Sequence, residues 1–209
     1  MPLAGGMAAG AERLPPVPVA ASEGGGGVEG LLGTLKRAAA ALGEAEVRFA
    51  LAGGFAAYAR GAAPSVHDVD FVLFEQDVER AVRALVAAGM RRQDCPENWL
   101  AKVYDGDRLI DLIYAPSGRP VEAALLGRAE ELNVAGVLMP VLPADDLVIM
   151  RLLAFTETAC DFSSVLPLCR ALREQVDWPH VAVRTAGSPY AYAFLTLLAR
   201  LEVIEGEFL

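Results

Sequence analysis

Three aspartates fall where apolar strands are expected. Asp68 and Asp70 interrupt "SVHDVDFVLF" (Ser65 to Phe74), and Asp111 interrupts "RLIDLIY". Side chains on a strand alternate between faces, so Asp68 and Asp70 point the same way, with Val66, Val72 and Phe74. His67, Val69, Phe71 and Leu73 point the other way. Apart from the aspartates both faces are apolar, which implies a strand covered on both sides. Two carboxylates on one such face repel each other and resist desolvation. At a frayed strand end they would simply be solvated. In a covered strand a divalent cation resolves the conflict, because its charge outweighs both carboxylates. Asp111 shares a face with Leu109 and Ile113, while Ile110 and Leu112 take the other. Unless its strand is an edge with one face in water, Asp111 is no casual surface group.

Gly53-Gly54, at the end of "EVRFALA", suits an anion. Glycines after a strand let backbone N–H groups approach a ligand closely, and the following "FAAYAR" would present a positive helix end. A tight strand-to-helix turn with no ligand would use the same residues. An anion cradle beside a carboxylate cluster is the combination that a nucleoside triphosphate with Mg²⁺ (or Mn²⁺) requires. Competing motifs fail. "GGGVEG" (Gly25 to Gly30) fits G-x-G-x-x-G but follows no strand, as a dinucleotide site requires. The chain has no P-loop and no G-x-S-x-G elbow, and neither His67 nor His180 sits near a convincing nucleophile.

The elements that must position these residues alternate up to about residue 142. "VEGLLGTLKRAAAALG" has helical spacing and closes on Gly43, a C-cap candidate. Strands follow at Glu46 to Ala52 and Ser65 to Phe74, with a short helix between them that stops at Gly61. "DVERAVRALVAAG" opens on Asp77, an N-cap candidate, and carries a stripe of Val78, Ala81, Val82, Leu85 and Val86. "WLAKVY" and "RLIDLIYA" flank "DGD", a strong hairpin signal. "VEAALLGRAEEL" (Val121 to Leu132) reads as helix and "NVAGVLMPVL" as a strand-like run ending at Pro143. Four helical segments complete the chain, two of them opening with Pro near the first helical position. The expected class is α+β: a mixed sheet flanked by helices over 28–142, with an all-helical C-terminal subdomain over 143–209. Residues 1–27, rich in Gly, Ala and Pro, read as a disordered lead-in in which Met7 is a second candidate start.

Bulk properties narrow the partners. The chain has 209 residues, room for one domain or one domain plus a helical extension. Its net charge of -9, from 18 basic against 27 acidic residues, opposes nucleic-acid binding, which runs on basic patches. Arg91-Arg92 reads as a solvated face. No apolar stretch approaches the roughly 20 residues of a membrane helix, and no secretory signal pattern opens the chain. Cys95, Cys160 and Cys169 lack paired spacing, which suggests free thiols in a reducing cytoplasm. With only two histidines besides, zinc is not expected.

At "LAGG", "HDVD" and "LIDLIY" the chain resembles the nucleotidyltransferase superfamily related to DNA polymerase β. The pattern there is a strand leading to Gly-Gly or Gly-Ser, a short helix, an Asp-x-Asp strand and a third carboxylate on a later strand. Over Leu31 to Phe155 the chain looks like the small bacterial members that include abortive-infection and toxin–antitoxin proteins, which "VLMPVLPADDLVIMRLLAF" resembles. The resemblance implies that Asp68, Asp70 and Asp111 bind metal, and that Asp111 also assists deprotonation of the attacking hydroxyl. It implies that Gly53 and Gly54 hold phosphates, with Ser65, Lys102 and Arg151 as further nucleotide contacts; Arg108 is another phosphate candidate. The reaction implied is in-line attack on the α-phosphorus of a nucleoside triphosphate such as ATP, with release of pyrophosphate. The chain departs from the pattern at Ser65-Val66-His67, where relatives often carry a cation, and at Arg151, where the toxin-like relatives carry Lys. Acidity favours a small-molecule or protein hydroxyl as acceptor over nucleic acid. Two alternatives follow: a binding module that keeps the fold without turnover, or a toxin–antitoxin-type protein whose C-terminal helices meet a protein partner.

Overall fold

The computed structural model describes residues 27–205. Residues 1–26 of the expected lead-in, Met7 among them, lie outside the described residues. The described part is a mixed sheet with helices packed against it, as the α+β reading requires. The elements run α1 (Val28–Glu44), β1 (Phe49–Leu51), α2 (Gly53–Ala59), β2 (Asp68–Leu73), α3 (Val78–Ala87), β3 (Arg91–Gln93), β4 (Leu100–Asp105) and β5 (Arg108–Ile113). They continue with α4 (Ala123–Gly127), β6 (Glu130–Val134), β7 (Val137–Val141), α5 (Ala144–Leu153), α6 (Phe162–Leu172), α7 (Trp178–Thr185) and α8 (Pro189–Arg200). No helix among the described residues is long and apolar enough to cross a membrane.

The seven strands form one sheet in the order β3-β4-β5-β2-β1-β7-β6. β2 is central, parallel to β5 and antiparallel to β1. Its run from Val69 to Leu73 is buried without interruption, the covered strand that its two-sided apolar pattern predicts. β4 and β5 form the expected hairpin, with Asp105 opposite Arg108 and Gly106 at φ +66° in the two-residue loop. Val69, Phe71, Ile110 and Leu112, all fully buried, share the sheet face against which α1 and α3 pack. Asp68, Asp70 and Asp111 lie on the opposite face, by alternation and register.

Local expectations fail in four places, each for a physical reason. α1 runs past Gly43 to Glu44, and the chain reverses at Glu46, whose φ is +54°. Glu46 N–H donates to the Gly43 carbonyl and Val47 N–H to the Leu42 carbonyl, a Schellman ending without glycine in the left-handed position. Asp77 does not cap α3; it ends a 3₁₀ turn and pairs with Arg80 at 2.8 Å. Val86 lies off the buried stripe and is exposed. The expected helix over Val121–Leu132 shrinks to α4, because Glu130–Val134 pairs with β7 instead. Ala135 and Gly136, both at positive φ (50° and 94°), make the two-residue turn, and Asn133 Oδ1 accepts the Gly136 N–H at 2.8 Å. Ladder hydrogen bonds there outweigh the helix preference of Glu and Leu.

The last four helices form where capping and apolar spacing agree. Asp161, Asp177 and Ser188 cap α6, α7 and α8 by accepting backbone N–H groups two or three residues on. α5 begins after Pro143 with Asp145 and Asp146 in its first turn, where the helix dipole favours negative charge. It packs against α2, α6, α7 and α8, so it is buried over most of its circumference. Arg128 clamps it with two bonds to the Asp146 carboxylate (2.7 and 3.0 Å). One exposed residue of α5, Arg151, lies over the aspartate face of the sheet.

Candidate active site

The register of β2 on β5 sets Asp70 directly beside Asp111. Asp68, two residues earlier on the same face, starts β2 and is half-buried, whereas Asp70 and Asp111 are each 8% exposed. One carboxylate oxygen from each of the three lies within 4.8 Å of the others. The alternative that the pair sits at a solvated strand end therefore holds in part for Asp68 and fails for Asp70.

Asp70 occupies the least comfortable position. Burial, reinforced by the charges of Asp68 and Asp111, pushes its carboxyl up to about 7, while the Arg151 charge and the Gly54 N–H pull it back only in part. Burial also raises Asp111, against the opposing pull of Lys102. Lys102 lies directly across the β4–β5 ladder, and its Nζ donates to Asp111 Oδ1 at 3.3 Å. Burial works to lower Lys102, yet the Asp111 charge and hydrogen bond hold its ammonium above the ordinary range. Three convergent carboxylates are hard oxygen ligands, and a shared divalent cation would remove the repulsion that raises Asp70. The residues present fit a metal ion.

The two glycines are explained first by the aspartate beside them. Gly53 has φ +57°, and a Cβ built on it would overlap Asp70 Oδ2. A Cβ on Gly54 would come within 2.7 Å of Ser65 Cβ. The strand-to-helix turn thus makes room for the carboxylate, and the Gly54 N–H is directed at it. Ser65 serves Asp68: its Oγ donates to Asp68 Oδ1 at 3.3 Å while accepting the N–H groups of His67 and Asp68. The Ser65-Val66-His67 segment steadies the first aspartate without bringing a cation.

A cavity of about 550 Å³ opens over the triad. Gly53, Asp68, Asp70, Asp111 and Arg151 line it, so five of the nine residues singled out in the sequence meet there. Gly54, Ser65 and Lys102 stand behind that lining, each against one of the aspartates. Arg108 does not join them. It follows the Ile110–Leu112 face of β5, and its guanidinium lies beside Gly30 of α1, across the sheet from the triad. Sequence reasoning missed the rest of the wall: Trp99, the turn at Pro116–Gly118, and Leu147, Met150 and Leu168 of the C-terminal helices. Trp99 had a signal, as a large aromatic just before the strand that pairs with Asp111.

No protein-family model matches this chain, and no curated protein matches it in sequence. Solved structures do match it in fold. The solution structure of the antibiotic-resistance factor ANT(2'')-Ia matches at TM-score 0.55 and 19% identity, over 82% of this chain and 94% of that one. The crystal structure of ANT(2'')-Ia in complex with adenylyl-2''-tobramycin matches at 0.55 and 16%, over 75% and 95%. The lincomycin-bound lincosamide antibiotic adenylyltransferase LnuA matches at 0.45 and 15%, over 61% and 89%. The chain is built on the nucleotidyltransferase fold, as the resemblance at Gly53-Gly54, Asp68, Asp70 and Asp111 implied.

Proposed function

We propose that this protein is a divalent-cation-dependent nucleotidyltransferase, moving a nucleoside monophosphate from a nucleoside triphosphate to a hydroxyl acceptor. One observation carries the reading: Asp68, Asp70 and Asp111 converge on the floor of a cavity in a fold shared with ANT(2'')-Ia. Asp68 and Asp70 would hold the cation, Mg²⁺ or Mn²⁺, with Asp111 completing its carboxylate set. A bound cation supplies charge neutralisation at the triad and polarises the phosphate oxygens. Arg151, the one cationic side chain lining the cavity among the described residues, would compensate the charge that develops on the leaving pyrophosphate. Gly53 borders the space assigned to the phosphates, with Gly54 and Ser65 close behind it. The acceptor oxygen bonds to the α-phosphorus as the α–β bridging bond breaks, and pyrophosphate departs with its electron pair. Asp111 takes the hydroxyl proton and returns it to solvent, while Lys102 orients that carboxylate. Three free cysteines and the lack of a membrane-crossing helix among the described residues suit a cytoplasmic setting.

The test is transfer of label from each α-³²P-nucleoside triphosphate, with Mg²⁺ or Mn²⁺, to small hydroxyl compounds or to cell extract. Label that persists after Asp70→Asn would overturn the assignment. A second reading, nucleotide binding without turnover, is favoured by one observation: Lys102 is engaged by Asp111, which leaves Arg151 as the cation facing the phosphate space. Saturable nucleotide binding with no transferred label would select it.

A further inference from the structure

The cavity has two chemically distinct ends. At one, Gly53 adjoins the Asp70 carboxylate and the Arg151 charge acts on it. At the other, Trp99, Ile113 and Pro116 gather around the strand that carries Asp111. Trp99 stays 38% exposed, yet it is held firmly. Its carbonyl accepts the N–H groups of Tyr114 (3.0 Å) and Ala115 (3.1 Å), the two residues that follow β5. The turn beyond keeps Ser117 at φ 52° and Gly118 at φ 73°, and it packs against α5. Leu147, Met150 and Leu168 close the wall from the C-terminal helices.

We propose that this second end is the acceptor subsite, and that the acceptor is an uncharged ring compound bearing a hydroxyl, stacked on Trp99. The assignment of the subsite to an acceptor rests on the transferase reading; the ligand chemistry rests on the wall itself. Among the described residues no acidic side chain lines the cavity beyond the triad, so nothing remains to pair with a polycationic acceptor once the triad holds metal. An indole carried on an anchored stretch of backbone beside aliphatic side chains instead favours a flat apolar body, which gains both buried area and ring stacking. The hydroxyls of Ser117 and Thr156 supply uncharged polar contacts to orient it. Asp111 stands at this end, where it can take the proton as the acceptor oxygen bonds to the α-phosphorus and pyrophosphate leaves.

The experiment uses 2-naphthol as the uncharged hydroxyl ring and 1,3-diamino-2-propanol as a dicationic hydroxyl compound, each titrated into the full chain with Mg²⁺. Calorimetry is expected to show naphthol binding that weakens about tenfold in Trp99→Ala and stays within about threefold in Trp99→Phe. Naphthol affinity unchanged by Trp99→Ala would overturn the subsite, as would tighter binding of the diamine. Labelled nucleotide then separates the two readings. Naphthol that binds through Trp99 but never receives label sinks the transferase reading and leaves the ligand chemistry standing. Label that passes to the diamine and not to naphthol overturns the acceptor class and upholds the transferase.

Discussion

Asp105 and Asp146 are buried as deeply as Asp70 and Asp111, at 8%, 7%, 8% and 8% exposure, but what faces them differs. The Asp146 carboxylate receives two bonds from the Arg128 guanidinium, and Asp105 is met by the Thr34 hydroxyl and Arg37. Each of these acids fastens a helix: Asp105 ties α1 to the end of β4, and Asp146 ties α5 to the turn after α4. Asp111 has only Lys102, and Asp70 faces two other carboxylates with a single backbone N–H directed at it and the Arg151 charge offsetting them in part. Burial therefore does not separate the structural acids from the candidate catalytic ones. Compensation does: the carboxylates of the triad outnumber the cations beside them, so the excess charge must be met by a proton or by a cation from outside the chain.

Exchanging one acid of each kind breaks or sharpens that contrast most strongly. Asp70→Asn should cut label transfer by about 10³-fold or more and abolish Mn²⁺ binding at the triad, read by electron paramagnetic resonance. The same variant should melt higher than wild type at pH 8 without metal, because it removes an uncompensated buried charge. Asp146→Asn should leave Mn²⁺ binding intact and cost about 1–3 kcal/mol, seen in calorimetry as a fall of several degrees. Equal destabilisation by the two substitutions would erase the distinction.

The glycines permit a second comparison of smaller size. Gly53→Ala forces a Cβ at positive φ onto the Asp70 carboxylate, so it should cost about 1–2 kcal/mol and weaken Mn²⁺ binding together. Gly33, inside α1 with open space around it, is the control; Gly33→Ala should stabilise by up to about 1 kcal/mol and leave Mn²⁺ untouched. Matching effects at the two positions would show that the tight turn at Gly53 has no special relation to Asp70.

The smallest effect concerns pH. The folded Asp70 carboxyl titrates near 7, above its ordinary 3.8, so folding favours the protonated form. That contribution to stability is complete below the unfolded value and is lost as pH rises through about 7. The melting temperature of metal-free wild type, relative to Asp70→Asn, should therefore fall between pH 5 and pH 8. Mg²⁺ or Mn²⁺ should restore more of it at pH 8 than at pH 5. A wild-type-minus-variant difference that stays flat across this range would remove the uncompensated charge from the account.

Much of this was legible in the residues. The two-sided apolar pattern around Asp68-x-Asp70 foretold a strand covered on both sides, "DGD" foretold the β4–β5 hairpin, and each of the four C-terminal segments read as helical holds a helix. The β6–β7 hairpin was not legible. Its Glu-Leu-rich first strand suits a helix in isolation, and only pairing with β7 decides otherwise. Arg108 and Lys102 illustrate the same limit. Both flank Asp111 on one hairpin, yet strand alternation sends Arg108 to the α1 face and cross-strand pairing brings Lys102 to the carboxylate.

The sequence by itself determined the chemistry available: three aspartates within apolar strands and two glycines at a strand-to-helix turn. It determined these locally, because alternation and turn geometry act over a few residues. Only the tertiary structure decided that Asp70 and Asp111 are neighbours, since the β2–β5 register joins residues 41 positions apart, and a one-residue slip would turn Asp111 to the α1 face. It also decided that Arg151 and Trp99, 52 positions apart in the chain, face one cavity. Register and helix packing are settled by the shared core, and no short stretch of the chain contains that information.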